Sequence, residues 1–191
     1  MKKVVFVGSG AIGTAIGNVL ARKGVDDITL LSIEEEVVES INELRYNLTY
    51  FPNVKLSRNL KATTDRRVLK DADIIFMAIP SVAVVGYILG NKEIINPKAV
   101  IVNLAKGFGK CDSLIPDCLQ GQLPNPIMMM KGPSFAREII NRQDTGFTLA
   151  CSDNQCFSEI SELFENTNIC FDFSNDITGV ELASILKNIY A

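Results

Sequence analysis

The 191-residue chain contains no histidine and no tryptophan. Without histidine there is no Ser-His-Asp or Cys-His nucleophile and no imidazole metal ligand. Any proton chemistry must then fall to Lys, Asp, Glu, Tyr, Cys or a bound cofactor. Positive charge is not in excess either: 19 Lys+Arg stand against 22 Asp+Glu, a net charge of −3. That balance argues against a nucleic-acid partner, which needs a basic face. Long apolar runs are missing. Val4 to Val7, after Met1-Lys2-Lys3, breaks at once into glycines, too short for a secretory signal. No stretch approaches the roughly 18 apolar residues of a membrane span. Cysteine is scarce and odd in number, at 111, 118, 151, 156 and 170, with no C-x-x-C pair. The reading is of reduced, structural thiols in a cytoplasmic protein with no metal site.

What is present is short apolar runs alternating with helical stretches. Val4-Val5-Phe6-Val7 reads as a buried strand, followed by a glycine turn and a helix from about Ala11 to Lys23 that Gly24 ends. Ile28 to Leu31 is the next strand, and Glu34 to Leu44 the next helix, with acidic residues in its first turn. Asn47 to Thr64 looks irregular. Ile74 to Ile79 is a continuous apolar strand stopped by Pro80, with Ser81 as N-cap of the helix beyond. Val100 to Val102, Ile127 to Met130 and Phe147 to Ala150 repeat the theme. Continuous rather than alternating apolar strands are buried on both faces. The expectation is an α/β fold: a doubly wound, mostly parallel Rossmann-type sheet with helices on both faces. Asp176 to Ala191 carries helical apolar spacing but no closing Gly, Asn or Pro. We therefore divide the chain into a dinucleotide-binding domain, 1–175, and the start of a helical domain, 176–191.

Gly8-Ser9-Gly10-Ala11-Ile12-Gly13 is G-x-G-x-x-G, directly after a strand and opening a helix. Gly8 permits the turn, Gly10 lets the backbone approach a pyrophosphate, and Gly13 lets helix and strand pack closely. The free N–H groups of the helix start meet the phosphate charge. Glu34 lies 21 residues beyond Gly13, where a carboxylate would accept from an adenosine ribose 2′-OH and repel a 2′-phosphate. No Arg or Lys stands between Asp26 and Asn42. This favours NAD, with NADP open. Glu36 is better read as surface decoration of the helix start.

Four further segments fall in register with this loop: Asn47-Leu48-Thr49-Tyr50-Phe51-Pro52, Ala78-Ile79-Pro80-Ser81, Lys106-Gly107, and Gly132-Pro133-Ser134-Phe135-Ala136-Arg137-Glu138. A fifth, Gly179-Val180-Glu181-Leu182 running into Leu186-Lys187-Asn188, closes the chain. From Val4 to Ala191 the sequence resembles the NAD(P)-dependent glycerol-3-phosphate dehydrogenase family. The resemblance implies hydride transfer between NAD(P)H and dihydroxyacetone phosphate or sn-glycerol 3-phosphate, serving glycerolipid precursor supply. It implies that Lys187 donates and accepts the proton at the substrate oxygen, with Asn188 beside it. Lys106 would touch both cofactor and substrate, and Gly132 and Ser134 would line the substrate site. Cofactor contacts would come from Gly8, Ser9, Gly10, Ala11, Ile12 and Gly13, from Ile33 and Glu34, and from Phe51, Pro80, Lys106 and Ala136. An ammonium suits the chemistry, since reducing a ketone builds negative charge on its oxygen. A second cation nearby would lower the pKa of the first.

Two departures stand out. Lys131 replaces the serine that such proteins commonly carry before G-P-[ST]-F-A, placing an extra cation beside the expected phosphate site. The family also carries a helical C-terminal domain after the Lys-Asn segment, with a phosphate-gripping arginine. The expectation is a chain that binds the dinucleotide but turns over poorly alone, and a homodimer in full-length form. Alternatives are a related hydroxy-acid or ketopantoate-type reductase, and a dinucleotide-binding module with no catalysis.

Overall fold

The structure, a computed structural model, describes residues 2–25, 27–109 and 113–190, and the side chains of all of these except 187–190. Cys111 lies outside the described residues. Eight strands are found among them: β1 (Lys3–Val7), β2 (Asp27–Leu31), β3 (Leu60–Thr63), β4 (Ile74–Met77), β5 (Val100–Asn103), β6 (Ile127–Lys131), β7 (Thr145–Ala150) and β8 (Ile169–Ser174). They form one sheet in the order β3-β2-β1-β4-β5-β6-β7-β8. Strands β1 to β6 pair in parallel, β7 runs antiparallel to β6, and β8 is parallel to β7.

The helices are α1 (Ala11–Lys23), α2 (Glu35–Glu39), α3 (Ser81–Gly90), α4 (Ile115–Leu119), α5 (Ala136–Ile140), α6 (Asn154–Leu163) and α7 (Ile177–Tyr190). A π-helical turn, Ser40–Leu44, continues α2, and a 3-10 turn spans Arg66–Lys70. Gly24 closes α1 in the left-handed conformation, its N–H donating to the Leu20 carbonyl. Three expectations need correction. The irregular stretch from Asn47 to Thr64 ends in the short strand β3, and β8 is an additional strand. Ser81 is the first residue of α3, whose N-cap is Pro80 and which has no side-chain cap.

The central strands are apolar at consecutive positions because each face has its own core. Val4, Phe6, Ile74, Phe76, Val100 and Val102 pack on one side with α1. Val5, Val7, Ile75, Met77 and Ile101 pack on the other with α3 and α4. Phe6 and Phe76 stack face to face at 4.5 Å between ring centroids, and Phe164 meets Phe76 edge-on. The three methionines Met128 to Met130 are fully buried strand residues. Helix α7 packs against β6 and β7. The winding reverses between β1 and β4, and in open α/β sheets the crevice beyond such a reversal is where ligands bind.

Candidate functional site

At that reversal the loop after β1 faces the loop after β4. Gly8 holds φ +109°, and a Cβ there would lie 2.5 Å from the Ala78 carbonyl oxygen. Only glycine permits both the backbone conformation and the approach. A Cβ on Gly13 would lie 2.4 Å from the Gly8 carbonyl oxygen, so the first turn of α1 folds tightly onto the loop. Gly10 is different. Its φ is −68°, and a Cβ there would meet no protein atom closer than the Tyr50 ring at 3.9 Å. The fold does not require glycine at position 10. The space beside it belongs to two cavities that meet at Gly10 and the Ala78–Pro80 turn.

The first cavity, of about 200 Å³, is lined by loop residues Gly8 to Gly10, by Ser32 to Glu34 after β2, and by Tyr50, Pro80 and Tyr87. Among the described residues, no Lys or Arg lines it. Glu34 is the N-cap of α2 and Ile33 is 94% exposed. Glu35 instead accepts a hydrogen bond from Thr64 Oγ1 at 2.9 Å. Ser9 Oγ donates to Ser32 Oγ at 2.7 Å, tying the loops after β1 and β2 together. The second cavity, of about 450 Å³, is lined by Gly10 to Ile12, the Ala78–Pro80 turn, Leu104 to Lys106 and Ser134 to Ala136.

Asn47 braces the loop from behind. Fully buried, it donates through Nδ2 to the Ser9 carbonyl at 2.8 Å and to Thr14 Oγ1 at 2.9 Å. Thr14 in turn donates to the same Ser9 carbonyl at 3.0 Å. The Asn47–Pro52 segment therefore braces the phosphate loop. Phe51 packs into the core, 5% exposed, while its neighbour Tyr50 lines the first cavity. Phe51, the expected cofactor contact, thus sits in the core directly beside that cavity-wall tyrosine.

The turn carrying Lys106 is fixed from two sides. The Ala105 N–H donates to Asn103 Oδ1 at 3.0 Å, and the Ala105 carbonyl accepts from Lys131 Nζ. Lys106 itself is half-buried in the second cavity. Gly107, at φ +146°, leaves room for the Ser81 side chain, which a Cβ would meet at 2.4 Å. Its glycine serves this contact within the protein. Gly132 likewise abuts β7: a Cβ would lie 2.5 Å from the Gly146 carbonyl oxygen. Ser134 is 7% exposed, and its Oγ has no partner among the described residues. An orphan hydroxyl in a cavity wall is a group awaiting a ligand or a water.

Lys131 is not an extra cation beside a phosphate. Its Nζ lies 2.8 Å from Glu181 Oε2, and the two side chains are 3% and 0% exposed. Burial pulls the Lys131 ammonium below the usual lysine range, and Glu181 works against that shift. Burial likewise raises the Glu181 carboxyl, opposed by Lys131. Glu181 Oε1 has no partner among the described residues. The pair joins the end of β6 and the Ala105 turn to α7. Sequence reasoning missed it, although a lysine ending a four-residue apolar strand and a glutamate on an apolar helix were visible. Lys187 and Asn188 lie on the last turns of α7; their side chains are outside the described residues.

Comparisons with known proteins point to one family. The family model described as NAD-dependent glycerol-3-phosphate dehydrogenase N-terminus matches residues 3–157. Glycerol-3-phosphate dehydrogenase [NAD(P)+] of Bacillus subtilis (strain 168) is 36% identical over 198 aligned residues, covering 100% of this chain and 57% of the relative. A chloroplastic glycerol-3-phosphate dehydrogenase [NAD(+)] 2 of Arabidopsis thaliana is 33% identical, with 100% and 47% covered. The crystal structure of glycerol-3-phosphate dehydrogenase from Coxiella burnetii superposes with a TM-score of 0.91 at 30% identity, covering 98% of this chain and 58% of that one. The chain thus spans about half the length of the curated relatives it matches. With its glycine loop at the β1–β4 reversal and the family model matched over most of its length, the chain belongs to the NAD-dependent glycerol-3-phosphate dehydrogenase N-terminal family.

Proposed function

We propose that this chain is the dinucleotide-binding part of an NAD(P)-dependent glycerol-3-phosphate dehydrogenase, acting on dihydroxyacetone phosphate and sn-glycerol 3-phosphate. The observation that carries the reading is the room at Gly10: the loop is glycine where the protein itself would accept a side chain. A nicotinamide dinucleotide held there would supply and accept the hydride. The residues of this chain would hold the cofactor and serve the reacting oxygen. The α1 N-terminus, held by Asn47 and Thr14, binds the pyrophosphate. Glu34 in the wall of the first cavity, with no cation among the described residues lining it, favours NAD over NADP. Pro80 and Ala136 border the second cavity, and Ser134 Oγ offers an unused hydroxyl there. Lys106, in the same wall, contacts cofactor and substrate. Lys187, with Asn188 beside it, gives its proton to the substrate C2 oxygen on reduction and recovers it on oxidation.

The same reading treats residues 1–175 as the cofactor domain and α7 as the start of a helical substrate domain, with low turnover for the chain alone. It places the protein in the cytoplasm as a homodimer, on two grounds. Cys151, Cys156 and Cys170 are thiols with no disulfide among the described residues, and Leu182 and Leu186 are exposed on α7. No described helix is long and apolar enough to cross a membrane. NADH fluorescence titration of the chain tests the cofactor step, with saturable binding expected and tighter than for NADPH. Lys187→Ala, in the chain joined to a relative's C-terminal domain, should abolish dihydroxyacetone phosphate reduction while NADH still binds. Full turnover by that variant would refute the role of Lys187.

A further inference from the structure

A third cavity, of about 240 Å³, opens between α1, the end of α5 and the turn before β8. It shares no residue with the two cavities at the glycine loop. Asn18, which lines it, lies eight residues along α1 from Gly10, about 12 Å of helix rise. Its charged lining is wholly cationic: Arg22, Lys23 and Arg142. None of the three has an ion-pair partner among the described residues. Arg22 uses one guanidinium nitrogen on the Lys55 carbonyl at 2.8 Å, and Lys23 donates to the carbonyls of Glu162 and Leu163. Burial, and after it the positive charge of Arg142, holds the Arg22 guanidinium below its ordinary range. Two guanidiniums facing one hollow without a carboxylate repel each other unless something negative lies between them.

The second observation is independent of charge. Asn18 is 1% exposed, and its Oδ1 accepts the Ser57 N–H at 2.8 Å. That bond fixes which way the amide faces, because a flip would set NH2 against N–H. Nδ2 is then buried with no acceptor among the described residues. A buried N–H donor without a partner, in the wall of a hollow whose charges are all positive, is satisfied by an oxygen-rich anion.

We propose that this cavity is a second anion site, taking a phosphate-class oxyanion, either free phosphate or a phosphomonoester group. Arg22 and Arg142 grip its oxygens with their planar forks, and Asn18 Nδ2 donates to one of them. The site goes beyond the function proposed above and does not depend on it. A dianion matches the paired guanidiniums better than a single carboxylate does, and the volume admits a small head group.

The test is a thermal-unfolding and calorimetric titration of the full chain with inorganic phosphate and, separately, with β-glycerophosphate. Chloride at equal ionic strength is the control, and each titration is run with and without NADH. Phosphate should raise the melting temperature saturably where chloride does not, and NADH should leave the effect in place. Arg142→Asn removes the charge while keeping a residue that tolerates the left-handed backbone found there (φ 63°). It should weaken phosphate binding at least tenfold and leave the NADH titration unchanged. Arg22→Lys, which keeps the charge but loses the fork, should weaken it severalfold. Preference for one of the two ligands names the source. If phosphate stabilises no more than chloride, or if Arg142→Asn binds phosphate as the parent does, the proposal is overturned. Loss of NADH binding alone would count against the dinucleotide reading and not against this site.

Discussion

The Lys131 ammonium sits 2.8 Å from the Glu181 carboxylate with both side chains buried, and the same ammonium holds the Ala105 carbonyl. Three pieces of chain meet at this one nitrogen: the end of β6, the turn before Lys106, and α7. A buried ion pair is weak evidence of stability in itself, because desolvating both charges offsets their attraction. Its effect here is geometric. It fixes the turn bearing Lys106 relative to the helix bearing Lys187.

Removing one partner leaves the other charge buried and unpaired. Lys131→Met should therefore destabilise the chain by about 3–5 kcal/mol, read from urea unfolding at pH 8. The double variant Lys131→Met, Glu181→Leu should recover most of that loss. If the double variant is as unstable as the single one, packing and not charge is what matters at this position.

The pH dependence follows from the same pair. Burial already holds the Glu181 carboxyl above its ordinary range, and Lys131 pulls it back down. Without Lys131 the folded-state pKa rises further above that of the unfolded chain. Stability of Lys131→Met is then fullest below the unfolded glutamate value of about 4.3 and is lost as pH rises through the folded pKa. The stability gap between parent and variant should be wider at pH 8 than at pH 5. Equal gaps at the two pH values would contradict this assignment.

The glycines of the loop should separate folding from binding. Gly8→Ala and Gly13→Ala each set a Cβ 2.5 Å or less from a carbonyl oxygen, and each should lower the melting temperature. Gly10→Ala meets no protein atom within 3.9 Å; it should leave the melting temperature nearly unchanged and weaken NADH binding at least tenfold. A Gly10→Ala protein that binds NADH normally would remove the main support for the ligand's position.

Asn47→Ala breaks two buried hydrogen bonds behind the loop and leaves the Ser9 carbonyl with Thr14 alone. The expected cost is about 1–3 kcal/mol, with weaker NADH binding because the loop is no longer held. Asn47→Asp cannot donate and should not rescue either property. Rescue by aspartate would show that the side chain acts by volume.

Alkylation should sort the thiols by burial. Cys170 is exposed, while Cys151 and Cys156 are buried, and burial pushes the Cys156 thiol up to about 11. Iodoacetamide at pH 8 should label Cys170 well before Cys151 and Cys156, which stay protected until denaturant is added, as peptide mass mapping would report. Early labelling of Cys156 would mean that α6 opens readily.

Local patterns were legible in the sequence because their causes are local. Continuous apolar runs marked β1, β4, β5 and β6, since a strand covered on both faces has no polar side to show. Gly8-x-Gly10-x-x-Gly13 between a strand and a helix marked the phosphate loop, and Gly24 the end of α1. Strands β3 and β8 were not legible. β3 is four residues long, with Lys61 facing out at the sheet edge, and β8 mixes Asp172 and exposed side chains into its run. Edge strands owe their conformation to a neighbour more than to their own residues. The partners of the polar groups were invisible for the same reason. Asn47 finds Ser9 38 residues away, Asn18 finds Ser57 39 residues away, and Lys131 finds Glu181 50 positions on. Sequence alone determined the apolar central strands, the glycine loop and the family, because each rests on residue type at short spacing. Tertiary structure alone decided that Lys131 is a buried brace, that Phe51 is core while Tyr50 is cavity wall, and that Gly107 and Gly132 serve packing. Those outcomes depend on which distant groups share a low-dielectric interior, where an unpaired charge or donor must find its partner.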